Sequence, residues 1–235
     1  MGKPRKRHVQ TEIVFKKWGG SRKGAGRPRR GPRRSVPHLR REDFNPNHPL
    51  HVTLRVLDDV GRLRRRDAFV AVRKAMLVVA NREDFRIVHL SVQGNHIHVI
   101  CEAASREALT SGMTAFKTSA GRRINAASGR CGRVFSDRYH AKVLKTPTEV
   151  RNAIAYVLNN WRRHHEDRGA SYRVDPFSTG IYFRGWKETD IPKVLVIPPT
   201  VVVLPYREPR TWLLTTGWKR ANRPVSLYET PGPLN

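Results

Sequence analysis

The chain has 235 residues, with 46 Lys and Arg against 19 Asp and Glu, a formal net charge of +27. Its length suits one folded domain plus tails, and a hydrophobic fraction of 38% is enough for one core if the tails are polar. No run approaches the ~18 apolar residues that span a bilayer, no apolar segment follows the basic start, and Cys101 and Cys131 make neither a disulfide framework nor a zinc finger, so we expect a soluble, cytoplasmic, nucleoid-associated protein with a polyanionic partner and no membrane.

The charge is uneven. Residues 1–41 hold 15 Lys and Arg and one acid, Glu12, a net +14, and the remaining 194 residues carry +13. Residues 1–47 therefore read as a basic tail, rich in Gly, Pro and Arg and with little to bury, expected to be disordered in isolation. Within it, Gly26-Arg27-Pro28 resembles the core of an AT-hook; a generic phosphate-binding tail is the plainer reading. Between Leu50 and Ala170 stands a single proline, Pro147, while the other fifteen lie in the flanks. Proline breaks helices and central strands, so residues 48–170 are expected to form the folded domain. Residues 171–235 hold nine prolines and several Trp- and Tyr-rich patches and read as an extension packed on the core or on a partner.

In chain order, Leu50–Val56 alternates apolar and polar, which predicts a strand with Leu50, Val52, Leu54 and Val56 inward. Arg66–Arg82 lacks a breaker and places Phe69, Val72, Met76 and Val79 at helical spacing. Phe85–Gln93 and His96–Glu102 are strand-like, joined by a hairpin at Gly94-Asn95. Ser105–Ser128 predicts a second helix on Leu109, Met113, Phe116 and Ile124, and Val134–Leu144 a fourth strand. Thr146-Pro147-Thr148-Glu149 is a capping box with proline at the first helical position, opening a last helix to about His165. The order β-α-β-β-α-β then α predicts an α+β fold: a ferredoxin-like split βαβ antiparallel sheet with helices on one face, the other face free for a ligand, plus a C-terminal helix.

Candidate chemistry sits on the third strand and the last helix. His96 and His98 are two apart, so both point to one face while Ile97, Val99 and Cys101 point to the other. Neutral imidazoles so spaced can share a divalent metal; two surface histidines on an exposed sheet are the alternative. On the last helix Val150, Ile154, Val157 and Trp161 form an apolar stripe. Tyr156 and Asn160, one turn apart, share a neighbouring face, where the Asn160 amide oxygen could be a third metal ligand and Tyr156 a nucleophile, or both could be ordinary surface polars.

GNHIHVI at residues 94–100, the capped helix with Tyr156-Val157-Leu158-Asn159-Asn160, and the basic segment Gly132–Tyr139 together resemble the single-tyrosine HUH transposases, closest to the REP-associated tyrosine transposases. The resemblance covers about residues 48–168. Gly94 stands where family members usually have proline, which alters the turn but no chemical group. The resemblance implies that the last helix is catalytic, and implies a metal-dependent transposase and endonuclease that nicks and rejoins single-stranded DNA or repeat hairpins. Tyr156 would be the nucleophile of a 5′-phosphotyrosine intermediate, with His96, His98 and Asn160 holding Mg²⁺ or Mn²⁺. The position one turn beyond Tyr156 is Asn160 rather than a second tyrosine, which fits a one-tyrosine reaction; Tyr139 is the reserve. Lys117, Arg122, Arg123, Arg130, Arg133, Arg138 and Lys142 would form a phosphate groove, with Phe135 or Tyr139 for base stacking. A homodimer is compatible with strand exchange, which needs two cuts.

Two other readings stand beside this one. A non-catalytic nucleic-acid-binding module on the same sheet would use His96 and His98 as surface contacts. A zinc hydrolase would need a nearby carboxylate, for which Glu102, on the same side as His98, is the candidate.

Overall fold

Four antiparallel strands form the sheet: β1 (Leu50–Arg55), β2 (Phe85–Val92), β3 (His96–Ala103) and β4 (His140–Val143), in the order β2-β3-β1-β4. The helices are α1 (Arg66–Val79), α2 (Arg106–Ser128), α3 (Pro147–Arg163) and a short α4 (Trp212–Thr215). The computed structural model describes residues 41–168, 173–188 and 204–232; the Gly26-Arg27-Pro28 motif lies outside them. All described residues fall in one unit, Val36–Asn235, and none of their helices is long and apolar enough to cross a membrane.

The alternation of β1 works as its pattern dictates. Leu50, Val52 and Leu54 join Ile97, Val99 and Cys101 of β3 in a core with α1 and α2. Helix α2 begins where the Ser105 side chain accepts the Ala108 N–H (3.1 Å) and ends at Gly129, whose φ of 63° suits glycine. Gly112 lets α2 close on β2, since a β-carbon there would lie 2.3 Å from the Phe85 ring. The expected helix to Arg82 stops at Val79, with Asp84 accepting from two of the three Arg82 side-chain nitrogens just beyond.

The predicted strand over Val134–Leu144 is only four residues long. Ahead of it the backbone bonds to side chains instead of a ladder. Arg133 ties up the carbonyls of Phe135 and Ser136, and the Lys117 ammonium takes that of Asp137 (2.9 Å). The Val56–Phe135 bridge, the Ser136 N–H to the Arg55 carbonyl (2.9 Å) and the Leu57 N–H to the Val134 carbonyl (2.8 Å) continue the pairing.

The second face of the sheet is not free, as the strand-helix order had suggested. Helix α3 lays Val150, Ile154, Val157 and Leu158 against Val88 and Ile100, and the C-terminal segment adds Trp186, Leu213, Leu214, Trp218, Val225 and Leu227. That segment is pinned by polar contacts as well. The buried Arg151 guanidinium pairs with Glu229 and donates to the carbonyls of Arg223 and Pro224, while Asn159 donates to Ser226. Residues 177–179 pair along the Leu90–Val92 end of the outer edge of β2, through Val92 N–H to Phe177 and Thr179 N–H to Leu90, which caps that end of the edge.

Candidate active site

Helix α3 is fixed by its start. The Thr146 side chain accepts the Glu149 N–H (3.2 Å) and Glu149 accepts the Thr146 N–H (3.1 Å), with Pro147 at the first turn. Its apolar stripe then docks on the sheet and brings a second row, Tyr156, Asn160 and His164, over the histidines of β3. The Tyr156 ring lies edge-on to His98, with centroids 5.0 Å apart, and His164 lies edge-on to His96 at 5.4 Å. Asn160 is one turn from each and fully buried, and the His96 and His98 rings are 4.6 Å apart.

The polar atoms in this pocket are unusual. His98 Nε2 and both side-chain polar atoms of Asn160 are buried and have no hydrogen-bond partner. Gln93, on the β2 side of His96, adds an orphaned Oε1. Buried polar groups nearly always find partners, so each of these atoms is open to a ligand that supplies the missing bond. The other ring nitrogens are engaged. His96 Nδ1 meets the Asn95 side-chain oxygen at 2.7 Å, and His98 Nδ1 faces His51 Nε2 at 3.2 Å and Thr53 Oγ1 at 3.3 Å. Both Nε2 atoms are thereby the natural donors to a cation. Among the described residues no group of three His, Cys, Asp or Glu could hold a metal.

Burial keeps these imidazoles neutral, the state a ligand needs. His96 is lowered to about 4, first by burial and then by His164 and Arg55. His51 is also lowered to about 4, by burial and then by His140 and Lys142. His98 is held well below the usual imidazole range, by burial and then by His51 and His96.

Several functional-site neighbours escaped the sequence reading. His51 is in register with Ile100 and Lys142, Thr53 with His98 and His140, and Arg55 with His96. The alternation of β1 already put His51, Thr53 and Arg55 opposite the core; strand order was needed to set them beside His98. His164 could have been found as the next one-turn step after Tyr156 and Asn160.

The basic residues divide between the two faces. Lys142 shares the Tyr156 side of the sheet. Lys117, Arg122 and Arg123 lie on α2, which packs on the opposite face. Arg130 pairs with Asp59 (2.5 Å), and Arg133 is tied to backbone carbonyls. Arg138 stands half-buried in the loop before β4. Phe135 does not present its ring to a base. It is 7% exposed in the α1–α2 core, with the Lys117 ammonium 5.4 Å from its centroid. Tyr139, the reserve nucleophile, is equally buried in that core beneath the Arg41 guanidinium. Glu102 is also committed elsewhere: its carboxylate accepts the N–H groups of Arg210 (2.9 Å) and Thr211 (2.7 Å) and the Thr211 hydroxyl. This anchors the C-terminal segment and leaves no carboxylate for a zinc hydrolase at this position.

Residues 49–160 match the family model described as transposase IS200 like. No curated protein matches the chain. Among solved structures, a REP-associated tyrosine transposase bound to a REP hairpin is 18% identical with a TM-score of 0.47, over 75% of this chain and 96% of that one. Another, from Deinococcus radiodurans R1 and described as a transposase, is 12% identical with a TM-score of 0.34, over 57% of this chain and 97% of that one. The matched segment, just under half of the chain, carries both histidines, Tyr156 and Asn160.

Proposed function

We propose that this protein is a metal-dependent transposase that nicks and rejoins single-stranded DNA, including repeat hairpins, through a phosphotyrosine on Tyr156. The observation that carries this reading is the meeting of Tyr156 with a neutral His pair and an orphaned carboxamide in one pocket. His96, His98 and Asn160 would hold Mg²⁺ or Mn²⁺, the Asn160 carbonyl being the oxygen donor that such ions favour. The bound ion would supply Lewis-acid polarisation of a phosphate oxygen.

The chain's own residues do the rest. The Tyr156 oxygen attacks phosphorus and loses its proton to solvent. The phosphorus bond to the 3′ oxygen breaks, and that oxygen leaves as a hydroxyl after taking up a proton. The 5′ phosphate stays on Tyr156. One phosphodiester replaces another, so a second 3′ hydroxyl can reverse the step and rejoin DNA without ATP. Packing of α3 on the sheet holds the nucleophile in place, and Arg55 and Lys142, on the same face, are positioned to neutralise the approaching backbone.

The test is covalent capture. A labelled single-stranded or hairpin oligonucleotide incubated with the chain and Mg²⁺ should give an adduct that survives denaturing gels and is absent in Tyr156→Phe. An adduct that persists in Y156F removes Tyr156 as nucleophile. Binding with no adduct from the unmodified chain would favour the non-catalytic nucleic-acid-binding module.

A further inference from the structure

His51 is buried against both the metal-ligand candidate His98 and the nucleophile candidate Tyr156. Its Nε2 is 3.2 Å from His98 Nδ1, their rings stack with centroids 5.2 Å apart, and its ring lies edge-on to Tyr156 at 5.8 Å. Only one proton fits between two facing ring nitrogens, so the two tautomers are coupled. If the proton sits on His51 Nε2, His98 carries its own on Nε2 and cannot ligate. If it sits on His98 Nδ1, the orphaned His98 Nε2 presents a lone pair to the pocket. Thr53 Oγ1, 3.3 Å from His98 Nδ1, cannot make this choice, because a hydroxyl donates or accepts equally well.

We infer that His51 is a positioning residue: it accepts the His98 Nδ1 proton, so fixing the tautomer and ring orientation in which His98 Nε2 binds the cation. The inference rests on the metal site proposed above. Stacking adds orientation to tautomer choice, and the His51 ring also lies edge-on against the Tyr156 ring. His51 touches neither the cation nor the DNA and acts only through its two neighbours. Partners of this kind typically alter metal affinity by roughly 10- to 100-fold.

The experiment is Mn²⁺ titration of the full chain, followed by the paramagnetic resonance signal of free Mn²⁺, with metal-free melting curves run in parallel. His51→Phe should weaken Mn²⁺ binding by at least about tenfold, and His51→Gln, whose amide oxygen can accept the same proton, should recover most of it. Equal Mn²⁺ affinity in H51F and the unmodified chain overturns the role of His51. A loss in H51Q as large as in H51F, with both folded, overturns it too. Should H51F fail to fold, long-range ¹H–¹⁵N imidazole spectra of the Mg²⁺-loaded unmodified chain decide: a proton on His98 Nδ1 is expected, and one on His51 Nε2 overturns the inference. If the unmodified chain binds no Mn²⁺, or His98→Ala binds it as well, the metal-site reading itself fails, and that outcome is distinct from an effect confined to His51.

Discussion

A single side chain, Asn160, shows how the site trades stability for chemistry. Its amide is fully buried with neither polar atom bonded, and an unsatisfied buried group costs about 1–3 kcal/mol. Asn160→Leu, of similar size, should therefore raise the melting stability of the metal-free chain by about 1 kcal/mol or more while abolishing stabilisation by Mn²⁺ and covalent capture of DNA. Melting curves in chelator and in Mn²⁺ test both halves. The buried imidazoles set a pH dependence as well. His51 and His89 fall to about 4 from the ordinary 6.5, mainly through burial. The unfolded chain then binds more protons between those values, so stability is complete above pH 6.5 and is lost as pH falls toward 4. Each of the two should cost about 2 kcal/mol on going from pH 7 to 5, measurable by urea unfolding at both pH values. Stability that is flat over this range would mean that these rings are not buried and neutral.

Helix α3 is the element on which everything converges. Its start is legible letter by letter, because a capping box is a local hydrogen-bond pattern that four residues complete. Its apolar stripe is equally legible. Its other faces are not, since they are bonded to residues about 65–78 positions later, such as Arg151 to Glu229 and Arg162 to Leu227. Glu229→Ala would strand the Arg151 guanidinium, which is 2% exposed, and should destabilise the chain by about 3 kcal/mol. Because α3 also carries Tyr156, DNA capture should fall in proportion to the unfolded fraction and recover on cooling. The short β4 shows the reverse case. The sequence predicts one long strand over Val134–Leu144, but arginine and lysine side chains satisfy the backbone that a ladder would have used.

At the scale of the whole molecule, the charge separates from the chemistry. Removing residues 1–40 takes away 14 Lys and Arg with one Glu and leaves Arg41 on the Tyr139 ring. The affinity for single-stranded DNA should then fall less steeply with salt, since each phosphate contact contributes roughly 0.7 to the logarithmic slope. Covalent capture at low salt should persist. An unchanged slope would show that the tail makes no phosphate contact. The basic residues of α2 belong to a helix packed on the face of the sheet opposite to Tyr156 and Lys142.

The amino-acid order by itself determined the alternation of β1 and β3, the helical stripes, the cap of α3 and the shared face of His96 and His98, because strand and helix periods are local properties of the backbone. It also placed Tyr156 and Asn160 one turn apart. Strand order and docking decided the rest: that β1 lies beside β3 and puts His51 on His98, that α3 crosses the same face and closes the pocket, that the C-terminal segment covers what looked like an open sheet, and that Glu102, Phe135 and Tyr139 are spent on packing. These are contacts between residues far apart in the chain, which a pattern read along the backbone does not contain, and only the folded sheet brings them together.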